Sequence, residues 1–203
     1  MRTRNDNTQN SSYGPGGDGA QIAYAIVDSA LGRLLVAGTY RGICFAAMGE
    51  ADATLVAELR SDYPRASIRV FDPNRHEDSH IGHWADALAD YIAGRSKMPM
   101  PPMDIRGTSF QFAVWDQLRA IPAGETRSYS EIARRIGRPR AVRAVGSANG
   151  ANPISIIIPC HRAIRASGHL GGYRWGLERK RKLLQMERIA ASPGSGQAIQ
   201  DIP

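Results

Sequence analysis

The segment from Asn152 to Arg162 (Asn-Pro-Ile-Ser-Ile-Ile-Ile-Pro-Cys-His-Arg) constrains the fold of this 203-residue chain more than any other. Its run of β-branched apolar residues predicts a strand that is buried on both faces. Pro153 and Pro159 stop regular structure from continuing on either side. The pattern therefore predicts that Cys160 is fixed at the end of a rigid strand, directly before His161.

Cys160 is a candidate nucleophile because of the residues beside it. A thiol attacks as the thiolate, and the adjacent imidazole of His161 and guanidinium of Arg162 favour that form. The alternative is a buried structural cysteine, which is the ordinary interpretation of an isolated Cys. Cys44, in an apolar strand, is predicted to be inert core.

The charge of the chain points to a polyanionic partner. The formal net charge is +7, and nucleic acid is the commonest partner of such a protein, although a merely basic soluble protein is the alternative. Two cysteines exclude a disulfide framework and a four-thiolate zinc site, and they favour a reducing cytoplasm. We find no apolar run of membrane-spanning length and no signal-peptide core at the N-terminus.

Composition divides the chain into four parts. Polar residues without periodicity predict a disordered tail at each end, and the proline-rich stretch 98–103 has the composition of a linker. Three short apolar runs separated by glycine predict an antiparallel meander, followed by helical spacing. The predicted parts are a tail 1–20, an α/β domain 21–102, a mainly helical domain 103–190 and a tail 191–203, with strands at 22–27, 32–37 and 42–47 and helices at 53–59 and 84–92.

The second domain carries a helix-turn-helix pattern. Thr108 caps a predicted helix 110–120, and Ser128 with Glu131 forms a capping box at the start of a helix 129–136. Gly137 ends that helix, and Pro139 is expected in the first turn of the next one, 140–149. A tight glycine turn between two helices, the second headed by basic residues, is typical of DNA-binding proteins.

The second helix of this pair is rich in small residues rather than long polar ones. Arg143, Ser147 and Gly150 share one face, which predicts close and sequence-tolerant contact with a duplex, most plausibly in the minor groove, with Arg143 projecting. Tight packing within a core is the alternative. Neighbouring arginines favour phosphate contact: Arg127, Arg134, Arg135, Arg138 and Arg140.

Several of these segments together resemble the methylated-DNA–protein-cysteine methyltransferases, which repair O6-alkylguanine in DNA. The resemblance is carried, over about residues 105–188, by Gly124–Tyr129, Arg143–Gly146, Asn152–Pro153, Ile158–Arg162 and Gly172–Gly176. Residues 22–104 are also similar, and the whole looks closest to the alkyl-accepting half of the bacterial adaptive-response (Ada-type) regulator.

The resemblance implies an α+β fold, with a small ribonuclease-H-like domain built on an antiparallel sheet and a winged-helix-like domain with a helix-turn-helix. It also implies the activity, which is a single irreversible transfer of the alkyl group from O6-methylguanine, and from O4-methylthymine, to Cys160. The substrate would be double-stranded DNA with the damaged nucleotide flipped out. No cofactor and no oligomeric partner are implied.

The resemblance also assigns roles to residues. Cys160 would accept the alkyl group, and His161 would take its proton through a water held by Glu187. Asn152 would brace the turn before the active-site strand, and Tyr129 would press on a phosphate and help to protonate the leaving guanine. The DNA-binding set is Arg138, Arg140, Arg143, Ala144, Gly146, Ser147, Ala148 and Tyr129, and the base pocket is Ile158, Pro159, Tyr173, Arg174 and Trp175.

The chain departs from some family members at two points. Human-type members carry a small residue where Trp175 stands, so we expect Trp175 to narrow the pocket and to disfavour bulky alkyl groups. Their zinc-binding cysteines are missing here, and we expect no structural zinc. His76, His80 and His83 have helical spacing, but no carboxylate or thiol completes a metal site, and a solvated helix start is expected.

Two other functions fit parts of the pattern. A cysteine hydrolase would use Cys160, His161 and Asn152, although adjacent residues of one strand point to opposite faces, which argues against direct proton transfer. A non-catalytic module that binds DNA lesions would not need Cys160.

Overall fold

A computed structural model describes residues 11–75 and 78–191, and the first half of this part is built on a four-stranded sheet. Strands β1 (Gln21–Ser29), β2 (Gly32–Thr39) and β3 (Gly42–Gly49) form the predicted antiparallel meander. A fourth strand, β4 (Ser67–Val70), lies parallel to β1, so the strand order is β3-β2-β1-β4. The sequence did not predict β4.

Two helices complete this half. Helix α1 (Asp52–Asp62) packs against β2 and β3, and helix α2 (Ser79–Ile92) packs against β1 and β2. Leu55 and Leu59 of α1 and Leu88 of α2 are fully buried, and each such side chain contributes about 1.5–3 kcal/mol by leaving water.

The second half is mainly helical, as predicted, and the α+β class is confirmed. Thr108 and Ser128 each close a capping box, which begins helices α3 (Ser109–Arg119) and α4 (Tyr129–Arg135). Helix α5 (Val142–Gly150) begins two residues later than predicted, so Arg140 and Pro139 lie in the turn before it. The remaining elements are a parallel pair of two-residue strands, β5 (Arg127–Ser128) and β6 (Ala163–Ile164), and helix α6 (Leu177–Ala191).

The two halves are joined along the outer edge of β3. Ile43 N–H donates to the Pro102 carbonyl at 2.8 Å, and further along the strand Ala46 N–H donates to the Pro153 carbonyl at 3.0 Å. Gly42 permits this approach, because a Cβ there would lie 2.5 Å from the Pro102 oxygen. The segment that leads to Cys160 is thus attached directly to the sheet.

Part of the predicted N-terminal tail is ordered. The backbone and hydroxyl of Ser12 donate to the buried carboxylate of Asp104 at 2.7 and 2.5 Å, and Tyr13 donates from its hydroxyl to the Asp104 carbonyl at 2.8 Å. Tyr13 is buried, because its ring packs on Tyr63. The prediction of a disordered tail was therefore wrong for residues 11–20, and residues 1–10 and 192–203 lie outside the described part.

Across the described ranges, none of the helices combines the length and the apolar character needed to cross a membrane.

Candidate active site

The apolar run before Cys160 forms a compact turn, and the prediction of a strand was wrong. Ile154 makes a single bridge to Ala46, and Ile156 then adopts a positive φ of 74°. Ile158 N–H returns to the Ile154 carbonyl at 3.1 Å. The isoleucines are buried as predicted, but an apolar run signals burial without specifying extended backbone. Cys160 begins a 3-10 turn, Cys160–Arg162, at the end of this segment.

Asn152 braces the turn and contacts the thiol. Its amide nitrogen donates to the Ile158 carbonyl at 2.8 Å and to Cys160 Sγ at 3.1 Å. Its amide oxygen accepts from Ile154 N–H at 3.1 Å. One fully buried side chain therefore fixes both ends of the loop and supplies a hydrogen bond to sulfur.

The thiol of Cys160 is only 2% exposed, and burial raises its pKa to about 11. The Asn152 hydrogen bond, the charge of Lys180 and two backbone N–H groups act in the opposite direction without cancelling the burial. The sequence predicted that His161 and Arg162 favour the thiolate, and this was wrong, because both side chains are paired elsewhere. The resting group is a protonated thiol.

Lys180 is a site residue that the sequence did not reveal. Its side chain is fully buried, and its ammonium donates to the Leu170 carbonyl. It also donates to the carbonyl of Ala163 at 2.6 Å and to that of Gly172 at 3.4 Å. Burial lowers the pKa of Lys180 to about 8, whereas Cys160 raises it. Lys180 is thus the cation that acts on the thiol and also ties β6 to the loop before α6.

His161 is paired with Glu187. Its Nε2 lies 2.8 Å from Glu187 Oε1, so the carboxylate contacts the ring directly, and the predicted water between the Cys160 thiol and His161 stays a prediction. Nδ1 is buried and has no hydrogen-bond partner within the described residues. Burial lowers the pKa of His161, with Arg162 and Lys180 acting in the same direction, so the ring is neutral at rest.

Two further side chains hold Glu187. Arg162 donates to both carboxylate oxygens at 2.8 and 2.9 Å, and Tyr91 of α2 donates to Oε1 at 2.7 Å. Burial raises the pKa of Glu187, but the hydrogen bonds from His161 and Arg162 and the charge of Arg162 outweigh it and hold the pKa well below its usual range. Tyr91, which the sequence did not identify, brings the first half of the chain into this cluster.

A cavity of about 460 Å³ opens beside the thiol. Helix α5 forms one wall, and the glycine-rich loop before α6 forms the other. Gly171 has a φ of 70° and lies against the Tyr129 ring, where a Cβ would approach to 3.1 Å. The lining residues are Tyr129, Val142, Arg143, Gly146, Asn149, Gly150, Cys160, Arg165, Gly171, Gly172, Tyr173, Arg174 and Trp175.

The predicted pocket residues divide into two groups. Tyr173, Arg174 and Trp175 line the cavity, and the rings of Tyr173 and Trp175 meet edge to face at 5.3 Å. The Tyr173 hydroxyl lies 2.8 Å from Ser155 Oγ. Ile158 and Pro159 are not among the lining residues, and Pro159 lines a separate cavity, because the turn directs it away from the thiol.

The predicted DNA-binding residues lie mostly on one exposed surface. Arg138 and Arg140 in the turn and Arg143, Ala144 and Ser147 on α5 are exposed, and Gly146 is half-buried. The prediction that Ala148 binds DNA was wrong, because this residue is buried. Its carbonyl accepts a hydrogen bond from the indole of Trp115 at 2.9 Å. The face of α5 that carries Ala148 packs on α3 and cannot touch a ligand.

The histidine cluster lies only partly within the described residues. His76 falls outside them, whereas the ring of His80 packs on Trp84 at 4.3 Å. Within the described part of the chain, no group of three or more His, Cys, Asp or Glu residues is placed to hold a metal ion.

Two family models match the chain. Residues 22–99 match the ribonuclease-like domain of 6-O-methylguanine DNA methyltransferase, and residues 109–189 match the DNA binding domain of the same family. The chain is 46% identical over 172 residues to the bifunctional transcriptional activator/DNA repair enzyme Ada of Escherichia coli, covering 85% of this chain and 47% of that protein. It therefore spans about half the length of Ada and of the Salmonella typhimurium regulatory protein ada.

Other relatives match over nearly their full length. The methylated-DNA–protein-cysteine methyltransferase of Mycobacterium tuberculosis is 42% identical over 174 residues, which cover 84% of this chain and 94% of that protein. The crystal structure of Mycobacterium tuberculosis OGT in complex with DNA superposes with a TM-score of 0.67 at 40% identity, covering 83% of this chain and 94% of that one.

Proposed function

Because the chain belongs to the 6-O-methylguanine DNA methyltransferase family, we propose that it repairs alkylated DNA by direct reversal at Cys160. The observation that supports this most is the position of the thiol. Cys160 lines a cavity whose other walls are an exposed small-residue helix and a loop of aromatic and glycine residues. A damaged base that enters this cavity meets a sulfur nucleophile.

The lesion must leave the duplex to reach the thiol. The sulfur is buried beside a cavity, so a base that remains stacked cannot approach it. Flipping costs a few kcal/mol, which contacts to the exposed α5 surface offset. Arg143, exposed at the mouth of the cavity, fills the gap left in the stack, while Arg138 and Arg140 contact phosphates.

Proton removal accompanies the chemistry, because the resting thiol is protonated. Nδ1 of His161 accepts the proton through a water, since Nε2 is already engaged by Glu187. The carboxylate, held by Arg162 and Tyr91, stabilises the imidazolium that results. Asn152 stabilises the developing thiolate from 3.1 Å.

The transfer forms one bond and breaks one. Sγ bonds to the methyl carbon, the carbon–oxygen bond breaks, and its electron pair goes to O6 of guanine. The Tyr129 hydroxyl protonates the leaving base, whose normal structure is restored, and Tyr129 then regains a proton from solvent while His161 releases the one it took from Cys160. The same displacement applies to O4-methylthymine.

The product is a thioether, which no group in the site can cleave. Each protein molecule therefore acts once. We further propose that the reaction needs no cofactor and that the protein acts as a monomer. A cytoplasmic location suits a function that requires a reduced thiol.

Stoichiometry tests this proposal against its alternatives. When methylated duplex is added in increasing amounts, repair should stop at one lesion per protein molecule. Continued turnover would indicate a hydrolase, and binding without repair would indicate a lesion-binding module. Cys160→Ala should bind the duplex and repair none of it.

A further inference from the structure

One wall of the cavity is tied to the first half of the chain by an arginine. Arg174 pairs through Nε with Glu58 at 2.6 Å and through Nη2 with Asp62 at 2.9 Å. Both carboxylates belong to α1, which contributes no residue to the lining of the cavity. The guanidinium also lies over the Trp175 ring, with Cζ 5.7 Å from the ring centroid.

A second arginine fixes the same wall from its other end. Arg179 donates to the Leu31 carbonyl at 2.8 Å and to the Trp175 carbonyl at 3.1 Å, and it pairs with Glu50. Leu31 and Glu50 both belong to the first half. Trp175 is therefore held through its backbone by Arg179 and through its ring by Arg174.

This arrangement restrains Trp175, which lines the cavity and which we expect to narrow it. Trp175 is buried, and its indole nitrogen has no partner among the described residues, so no hydrogen bond of its own fixes the ring. Packing within the core, the edge-to-face contact with Tyr173 and the guanidinium of Arg174 hold its orientation. Of these contacts, the one with Arg174 depends on the two carboxylates of α1, which fix the position of the guanidinium.

We propose that Glu58 and Asp62 are specificity-determining residues, which set the size of the alkyl group that Cys160 accepts by holding the Arg174–Trp175 wall closed. This inference rests on the proposed alkyl transfer. Neither carboxylate lines the cavity, so both act through Arg174 and are positioning residues rather than catalytic ones.

The test compares two substrates in the full-length chain. Glu58→Gln combined with Asp62→Asn removes both carboxylates from α1, and Asp86→Asn combined with Asp90→Asn makes the same charge change on the exposed side of α2. The substrates are methylated duplex DNA and free O6-benzylguanine. The readout is the ratio of the two single-turnover rates, which a general loss of stability would not change.

The α1 double variant should raise the benzyl-to-methyl rate ratio on the order of tenfold, because two partly exposed ion pairs together contribute a free energy of that size. The α2 control should keep the wild-type ratio. An unchanged ratio in the α1 variant, with methyl transfer intact, would overturn the proposal. Failure of the wild-type protein to accept a methyl group would instead refute the proposed function.

The salt dependence of the reaction provides a second test, in which Arg174 and Trp175 themselves are left unchanged. Raising the ionic strength from about 0.05 to about 0.5 M screens partly exposed pairs. The reaction of the wild-type protein with free O6-benzylguanine should therefore accelerate, since no DNA binding is involved. In the α1 double variant salt should have no such effect, and an equal acceleration in both proteins would contradict the proposal.

Discussion

At the scale of single residues, Cys160 has a raised pKa, and the neighbouring proton acceptor, His161, is uncharged. Burial favours the neutral form of both Cys160 and His161, so the resting site carries no thiolate–imidazolium pair. Glu187 and Arg162 are ionised and neutralise each other, and Lys180 is a further cation near the thiol. The thiol of the resting site is therefore protonated and weakly nucleophilic near neutral pH.

The first prediction concerns the thiol without DNA. Because the pKa of Cys160 is about 11, its reaction with iodoacetamide should accelerate about tenfold per pH unit between about pH 7 and 9. Peptide mass mapping should locate the modification at Cys160, which lines the cavity, and leave Cys44, which is fully buried in β3, unmodified. Fast reaction that does not vary over this range would contradict a raised pKa.

The second prediction concerns Glu187→Gln. This change leaves the guanidinium of Arg162 buried without its counter-ion, so the free energy of unfolding should fall by about 3 kcal/mol near neutral pH, measured with urea. Methyl transfer should also slow, since the imidazolium loses its anion.

The pH dependence of that difference has a defined sign. The pKa of Glu187 is lower in the folded than in the unfolded protein, so its contribution is present above about pH 4.3 and is lost on acidification. The difference between the wild-type and variant stabilities should therefore begin to shrink below about pH 4 and should vanish only as the pH falls through the lowered folded-state pKa. A constant difference would show that ionisation of Glu187 does not stabilise the fold.

The third prediction concerns Lys180→Met. The carbonyls of Ala163 and Leu170 lose their donor, so the variant should be less stable by about 1–3 kcal/mol. Its thiol should also react more slowly with iodoacetamide at a fixed pH, since the nearby cation is gone. Lys182→Met, at an exposed position of the same helix, is the matched control and should change neither quantity.

Sequence identified Cys160, His161, Asn152 and Glu187 as candidates, but it did not give the direction of the side chains. Arg162 follows the nucleophile in sequence, yet its guanidinium faces Glu187. Lys180 lies among other basic residues of α6, and nothing in that run distinguishes a buried lysine from solvated ones.

At the level of elements, α5 carries the surface proposed to meet DNA. Gly146 is half-buried on this helix, and a Cβ at this position would meet no atom within 4 Å. A larger side chain is therefore compatible with the folded protein, while it would occupy space that a closely approaching duplex requires.

The fourth prediction follows from that geometry. Gly146→Leu should leave the fold intact or stabilise it by up to about 1 kcal/mol through helix propensity, while duplex affinity falls at least tenfold, or about 1.4 kcal/mol. Fluorescence anisotropy and thermal unfolding measure the two effects. Gln185→Leu adds the same side chain to exposed α6 and should bind DNA normally; unchanged binding by Gly146→Leu would exclude close contact at α5.

Elements with local signals were predicted, and those that depend on partners were not. The capping boxes at Thr108 and Ser128 begin helices where expected. Strand β4 has only four residues and forms by pairing with β1, so its own pattern is weak. The apolar run 154–158 is buried in a turn, because its hydrogen bonds go to β3 and to itself.

In the whole molecule, the two halves operate as one unit. The edge of β3 binds the segment before Cys160, Tyr91 of α2 binds Glu187, and α1 holds the wall of the cavity through Arg174. The net charge of the chain predicted a DNA partner, and the composition of the linker predicted two domains. Long-range pairs between the halves have no sequence signal of their own.

The most direct test of the central claim is the intact mass of the protein after incubation with duplex DNA that carries one O6-methylguanine. We predict that every active molecule gains the mass of one CH2 group, that peptide mapping locates it on Cys160, and that the lesion disappears in equal amount. Loss of the lesion while Cys160 remains unmodified would contradict this account.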